Sequence, residues 1–123
     1  MNTKALGLAG LAVCFLAQPA NAHHSFAMFD ITKTVEYQGT VKELEWTNPH
    51  SWLVVMVPNA QGEMVEWALE TNSPGKLARN GWRARIVVPG DKVTVELHPL
   101  KNGESGGQLV SVVLPNGTKL GGD

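Results

Sequence analysis

The sequence contains almost no cysteine. Of its 123 residues only Cys14 is a cysteine, and it lies in an apolar stretch near the N-terminus. If that stretch is removed, the protein has no disulfide framework, no thiol nucleophile and no cysteine-based zinc site. The remaining residues must then rely on an apolar core, which is feasible for about a hundred residues. The four tryptophans help, because each can bury a large apolar area.

The sequence also lacks an excess of basic residues. Ten Lys and Arg residues stand against eleven Asp and Glu residues, so the formal net charge is −1 with neutral histidines. Loss of an N-terminal leader that contains Lys4 would make the charge about −2. Nucleic-acid-binding domains usually have a basic face, so we expect no nucleic-acid partner.

Recognisable catalytic motifs are missing as well. Ser25 and Ser51 each neighbour a histidine, but adjacent residues of a strand point to opposite faces. No serine is paired with a histidine and an acid in a motif context, and nothing marks a glycosidase-like pair of acids. The sequence has no phosphate loop and no nucleotide-binding fingerprint. We therefore predict that the protein is not an enzyme.

The first 22 residues have the features of a secretory signal peptide. Lys4 supplies a positive charge, and Ala5–Ala17 is an apolar segment too short to span a membrane. The small residues of Ala20-Asn21-Ala22 suit a cleavage site. We expect cleavage near Ala22, a mature chain that begins at His23, and a periplasmic or secreted protein with no membrane span.

Residues 23–123 predict a single all-β domain whose first strand is long and bent. Apolar and polar residues alternate from Val35 to Val41, which is typical of a half-buried strand. The phase then slips by one residue before Leu44 and Trp46, which indicates a β-bulge, and Gly39 permits a sharp bend nearby.

Four more strands and one short helix follow along the chain. The strand-like segments are residues 52–57, 64–69, 92–97 and 108–114. Ser73 and Pro74 can begin a helix of at most two turns, and Gly81 suits its end. Three strands, a helix and two strands form the order of the OB-fold, a small five-stranded Greek-key barrel. A turn and a mobile tail are predicted after the fifth strand.

Three histidines are the candidate metal ligands: His23, His24 and His50. The free α-amino group and the imidazole of His23 can together chelate one metal, and the other two rings can add nitrogens. Such a nitrogen-rich set suits copper(II), which binds most tightly among the first-row divalent ions. His50 lies in the turn Thr47–Trp52 between the first two strands. In the alternative interpretation, His23 and His24 form a flexible terminal segment and His50 is a turn residue bonded to backbone.

Two further residues have possible roles at such a site. Glu70 ends the third strand and can ligate a metal or orient a histidine ring. The alternative is that Glu70 caps the following helix or pairs with an arginine. His98 lies at a strand end before Pro99, where an exposed edge histidine is the alternative to a ligand.

The tryptophans suggest a second hypothesis, in which the protein is an adaptor without metal. OB-folds bind oligomers on one face of the barrel, so a protein or glycan could be the partner there. Tryptophans at strand positions are, however, more often part of the core. The four residues concerned are Trp46, Trp52, Trp67 and Trp82.

Several motifs resemble those of one family. A-H-H-S-F follows the signal peptide, and E-W-T-N-P-H-S-W, W-A-L-E, G-W and P-G-D-K-V-T-V follow in order. Together they resemble the bacterial exported proteins of domain-of-unknown-function family 6152, from Ala22 to about Leu120. The resemblance implies export and a small barrel but no reaction, and His98 lies outside its pattern. The matching positions are His23, His24, Ser25, Phe26, Trp46, Asn48, Pro49, His50, Trp67, Glu70, Pro74, Gly81, Trp82 and Gly90.

Overall fold

Six β-strands and one short α-helix make up the fold. The structure is a computed structural model, and it describes residues 26–123. A single 3-10 turn, Phe26–Met28, precedes the first strand. The elements that follow are β1 (Val35–Glu45), β2 (Trp52–Pro58), β3 (Met64–Glu70), α1 (Pro74–Arg79), β4 (Lys92–Pro99), β5 (Gly106–Val113) and β6 (Lys119–Gly121).

A short parallel pairing closes the sheet into a barrel. The strands are ordered β3-β2-β1-β4-β5-β6, and β3 also pairs with β5. This seam joins Ala68–Glu70 to Gly106–Gln108. Around the barrel the order is β1, β2, β3, β5, β4 and β1 again, with α1 between β3 and β4 in the chain. The predicted five-stranded OB-like barrel with one short helix is therefore confirmed.

The bend in β1 arises where the sequence predicts it. The pairing of β1 with β2 shifts register between Val41 and Glu43, so the predicted bulge is present. Before the bulge, Gly39 lies very close to β2. A Cβ atom on Gly39 would be 2.9 Å from the backbone oxygen of Met56. The absent side chain thus lets β1 pass close to β2 while β1 also pairs with β4.

The barrel interior is filled by aliphatic side chains and is covered by residues around α1. Leu53, Val55 and Leu69 are fully buried in this core. Leu77 of α1 and Trp82 beyond it are also fully buried. Complete burial of a tryptophan stabilises the fold by roughly 4–6 kcal/mol at about 25 cal/mol per Å².

The prediction of a mobile tail after β5 is wrong. Residues Lys119–Gly121 form β6, which pairs with Ser111–Val113 of β5. Leu120 is buried, and the backbone oxygen of Gly121 accepts a hydrogen bond of 2.7 Å from Nε1 of Trp82. A three-residue strand is too short for alternation to show in the sequence, and its order depends on a tryptophan far away in the chain.

Candidate functional site

The outward side chains of β2, β3 and β5 form a continuous surface, here called the outer face. Because Leu53 and Leu69 point into the core, their neighbours in the strands point outward. Trp52 therefore lies outward and opposite Glu70, and Glu70 lies opposite Gln108 of β5. These three residues form the first row of the outer face.

A second row of the outer face lies beside the first. Val54 is opposite Ala68, and Ala68 is opposite Gly106. A Cβ atom on Gly106 would be 3.0 Å from Cδ1 of Leu100, so the Leu100 side chain lies over this glycine. The second row is therefore apolar and has small residues at its centre.

The turn between β1 and β2 is tied to the segment that follows β3. The Ser51 amide donates to the Asn72 carbonyl at 2.9 Å, and the Thr71 amide donates to the Ser51 carbonyl at 2.9 Å. The Thr71 hydroxyl donates to the same Ser51 carbonyl at 2.9 Å. Within the turn, Oγ1 of Thr47 donates to the His50 carbonyl at 3.1 Å. These bonds hold the turn against the end of β3.

This arrangement brings His50 to Glu70. Nδ1 of the His50 ring is hydrogen-bonded to Oε1 of Glu70. The Glu70 side chain is 6% exposed, whereas that of His50 is 37% exposed. Because a carboxylate accepts, Nδ1 carries the proton of this bond, so Nε2 is the ring nitrogen whose lone pair a metal ion could use. A carboxylate on one ring nitrogen is the usual partner of a histidine that binds metal through the other.

Glu70 is a buried acid with one unsatisfied oxygen. Within residues 26–123, Oε2 of Glu70 is buried and has no hydrogen-bond partner. The helix cap is instead Ser73, whose side chain accepts from the Lys76 amide at 3.4 Å. No ion pair joins Glu70 to an arginine of the described chain, so both alternatives predicted for Glu70 are wrong. An unmet buried acceptor costs about 1–3 kcal/mol, so this oxygen calls for an explanation.

The remaining predicted ligands do not all meet at this pair. His98 lies opposite Gln108, two strands away from Glu70, and its Nδ1 donates to the Lys33 carbonyl at 2.7 Å. His23 and His24 lie outside the described residues. From residue 26 onward, no group of three or more His, Cys, Asp or Glu side chains is arranged to hold a metal ion.

The tryptophans divide between the core and the outer face. Trp82 is fully buried, and Trp46 and Trp67 are half-buried against the core. The ring of Trp67 lies 4.7 Å from that of Tyr37, between centroids. Trp52 is on the outer face, beside the His50–Glu70 pair. Of the four, Trp52 is therefore the one suited to contact a ligand from outside the barrel.

The chain enters the barrel beside this surface. Phe29 and Leu100 form an isolated antiparallel bridge. On either side of it, the Asp30 amide donates to the Pro99 carbonyl at 2.8 Å and the Lys101 amide donates to the Met28 carbonyl at 3.0 Å. The first described residues thus run along the β4–β5 connection, two strand spacings from β5 and three from β3. Sequence patterns did not indicate this contact, because residues 26–30 show no strand alternation.

These features define a class: a small closed β-barrel with a histidine–glutamate pair at the edge of its outer face. The sequence model of a family of unknown function (DUF6152) matches residues 11–109, so the chain belongs to that family, and the predicted assignment is confirmed. No curated protein and no solved structure matches the chain. Within residues 26–123, no helix is long and apolar enough to cross a membrane.

Proposed function

We propose that the protein is an exported binding protein that captures a transition metal, with copper the best chemical match. His50 would bind the metal together with His23 and His24 of a mature chain that begins after cleavage near Ala22. The observation that carries the proposal is the buried carboxylate of Glu70 on Nδ1 of His50. This contact places the ring proton on Nδ1, so Nε2 would be the ligand atom.

The donor set explains the choice of metal. The α-amino group and three imidazoles are all nitrogen donors, and copper(II) favours such ligands in tetragonal geometry. A ligand role also fits the partial exposure of the His50 ring, since an incoming ion must reach it. We propose binding rather than catalysis, because the sequence carries no recognisable catalytic motif around the His50–Glu70 pair.

A copper(II) titration of the protein that begins at His23 tests the proposal. His50→Ala should weaken binding at least tenfold, which corresponds to about 1.4 kcal/mol. The matched control is His98→Ala, which removes another half-buried histidine, located in β4 opposite Gln108, and should leave the affinity unchanged. Electron paramagnetic resonance of the copper(II) complex should report several nitrogen ligands, one fewer in His50→Ala.

An extended form of the mature protein isolates the role of the amino group. One added residue before His23 removes the chelate between the α-amino group and the adjacent ring, so binding should weaken. Equal affinity with and without the added residue, or with and without His50, would reject the proposed ligand set. Mass spectrometry of the exported protein should find His23 as the first residue.

A second candidate function is an adaptor that binds a protein or glycan on the outer face without metal. The outward position of the half-buried Trp52 favours it, because an indole on the outer face can stack on a sugar or a peptide side chain. Capture from periplasmic extract in the presence of a chelator tests this candidate. A specific partner that is retained by wild type and lost in Trp52→Ala would support it, and recovery of no partner would count against it.

A further inference from the structure

A groove lies at the opposite end of β2 from the His50–Glu70 pair. It has a volume of about 610 Å³ and extends over residues 38–40 of β1, where the pairing of this strand changes from β4 to β2. Small-molecule sites typically have volumes of about 300–1,000 Å³. Pro58 at the groove and Trp52 beside the pair are at opposite ends of β2, roughly 20 Å apart, so the groove is a separate site.

Apolar side chains occupy outward positions of the sheet along one part of this groove. Met56 of β2 lies between the inward residues Val55 and Val57, so it points outward. Val113 of β5 is outward for the same reason, and Met64 of β3 is 52% exposed. Outward positions of a sheet whose other face is buried are usually polar, and exposed apolar side chains that gather at a groove mark a contact surface. The groove is thus suited to bury an apolar group.

The polar side of the groove carries a single charge. Met56, Thr40 and Lys92 lie side by side across β2, β1 and β4. Among the described residues that line the groove, Lys92 is the only charged one. Its Nζ donates to Oγ1 of Thr40 at 2.8 Å, which positions the ammonium group beside the groove and leaves its other N–H donors for a ligand. In the described chain, Lys92 forms no ion pair.

Two acids on adjoining outward positions are paired with other lysines. Glu66, opposite Met56, forms an ion pair of 2.7 Å with Lys42. Glu96, the next outward residue of β4 beyond the groove, forms one of 3.4 Å with Lys119. Charge complementarity therefore favours an occupant that has one anionic group and an apolar body.

The width of the groove indicates how long this apolar body is. Lys92 and Met64 belong to β4 and β3, which are three strand spacings apart in the order β3-β2-β1-β4, or about 14 Å along the sheet. An extended chain advances about 1.2 Å per bond, so roughly a dozen carbon atoms cover this distance. Methionine side chains adapt to the shape of an apolar partner, so Met56 and Met64 can follow a flexible chain.

We infer that the groove binds a long-chain carboxylate, whose head group pairs with Lys92 and whose alkyl chain lies against Met56 and Met64. Thr40 is then a positioning residue, because its hydroxyl holds the lysine at the groove. The inference goes beyond the proposed metal binding, since no residue of the groove belongs to the His50 site. The barrel would carry two different ligands at the two ends of β2.

Methionine methyl NMR of the protein, kept in a chelator, tests the inference. Met56 and Met64 line the groove, whereas Met28 lies beside the β4–β5 connection and serves as an internal reference. Dodecanoate, added below its micelle concentration, should shift the Met56 and Met64 signals in a saturable manner and leave Met28 unchanged. Dodecyltrimethylammonium, which has the same chain and a cationic head group, should bind at least tenfold more weakly.

Substitutions at two exposed positions separate the head group from the chain without disturbing the core. Lys92→Gln should weaken dodecanoate binding at least tenfold, whereas Lys101→Gln, which removes the same charge from the β4–β5 connection, should have no effect. Met64→Glu should also weaken binding at least tenfold. Its matched control is Ile31→Glu, which makes the same kind of change at an exposed apolar residue outside the groove and should leave the affinity unchanged.

Three results would overturn the assignment to a long-chain carboxylate: no saturable shift, equal binding of the cationic amphiphile, or equal losses in Lys92→Gln and Lys101→Gln. Shifts of Met56 and Met64 that follow the protein concentration without dodecanoate would assign the groove to a second copy of the chain, and would overturn the inference as well. Dodecanoate binding that is lost in Lys92→Gln and Met64→Glu and retained in both controls would support it.

Discussion

Gly107 offers a direct test of how closely β5, the strand that forms the seam with β3, packs against β4. Gly107 lies in β5, opposite Leu69 of β3 and Pro99 of β4. A Cβ atom there would be 2.4 Å from the backbone oxygen of His98 and 2.6 Å from Cδ1 of Leu97. The first contact is with backbone, so it can be relieved only if β4 and β5 move apart.

We expect Gly107→Ala to lower the free energy of unfolding by about 3 kcal/mol, at the upper end of the usual cost of overpacking. A domain of this size typically has about 5–15 kcal/mol in total, so the variant should remain folded at room temperature. At roughly 4–8 °C per kcal/mol, Tm should fall by about 12–24 °C. Urea unfolding followed by tryptophan fluorescence measures the free energy, provided that the m value is unchanged.

The matched control is the same substitution at Gly75 in α1. A Cβ atom on Gly75 would meet only Nη1 of Arg79, at 3.9 Å. Alanine favours the helix over glycine, so Gly75→Ala should raise the free energy of unfolding by about 0.5–1 kcal/mol. If Gly107→Ala also stays within about 0.5 kcal/mol of the wild type, the close packing of β5 against β4 described here is wrong.

Two further predictions concern an acid and the tryptophans. The Ser111 hydroxyl donates to Oε2 of Glu96 at 3.0 Å and holds the pKa of Glu96 below its ordinary value. Ser111→Ala should raise this pKa in an NMR titration. A depressed folded-state pKa stabilises the protein above the unfolded-state pKa, and that stability is lost as pH falls through the folded-state value, so the variant should lose less stability in acid. Trp82→Phe removes the hydrogen bond to the Gly121 carbonyl and part of a buried ring, so it should cost about 2 kcal/mol in urea unfolding. Trp52→Phe should cost less, and an equal loss would contradict the outward position of Trp52.

Local pattern was sufficient to predict most of the barrel. The one-residue slip in the apolar pattern between Val41 and Leu44 correctly predicted the bulge. Side chains of a strand alternate between its two faces, so one extra residue reverses the alternation of all residues that follow it. The face of β2 was harder to predict. Residues Trp52–Val57 are almost all apolar, so the sequence does not show which of them point inward. The structure turns Leu53 inward and Trp52 outward.

The contacts of the candidate site join residues that are distant in the sequence, so local sequence pattern could not predict all of them. The register of Trp52 against Glu70 could have been predicted, since the turn at residues 58–62 sets which residues of β2 and β3 face each other. The contact between His50 and Glu70 could not, because it depends on how the β1–β2 turn folds back on Thr71 and Asn72. From the sequence alone, Glu70 could be a metal ligand, the partner of a histidine ring, a helix cap or the partner of an arginine.

The three-residue seam between β3 and β5 also has a kinetic consequence. Ala68 and Gly106 are far apart in the chain, so their pairing closes a large loop and carries a high entropic cost before it brings any contact. We expect the seam to form late in folding, after the β2–β3 and β4–β5 hairpins. Interactions that form after the transition state slow unfolding and hardly change the folding rate. A ligand held at Glu70 would therefore prolong the lifetime of the folded barrel without speeding its formation.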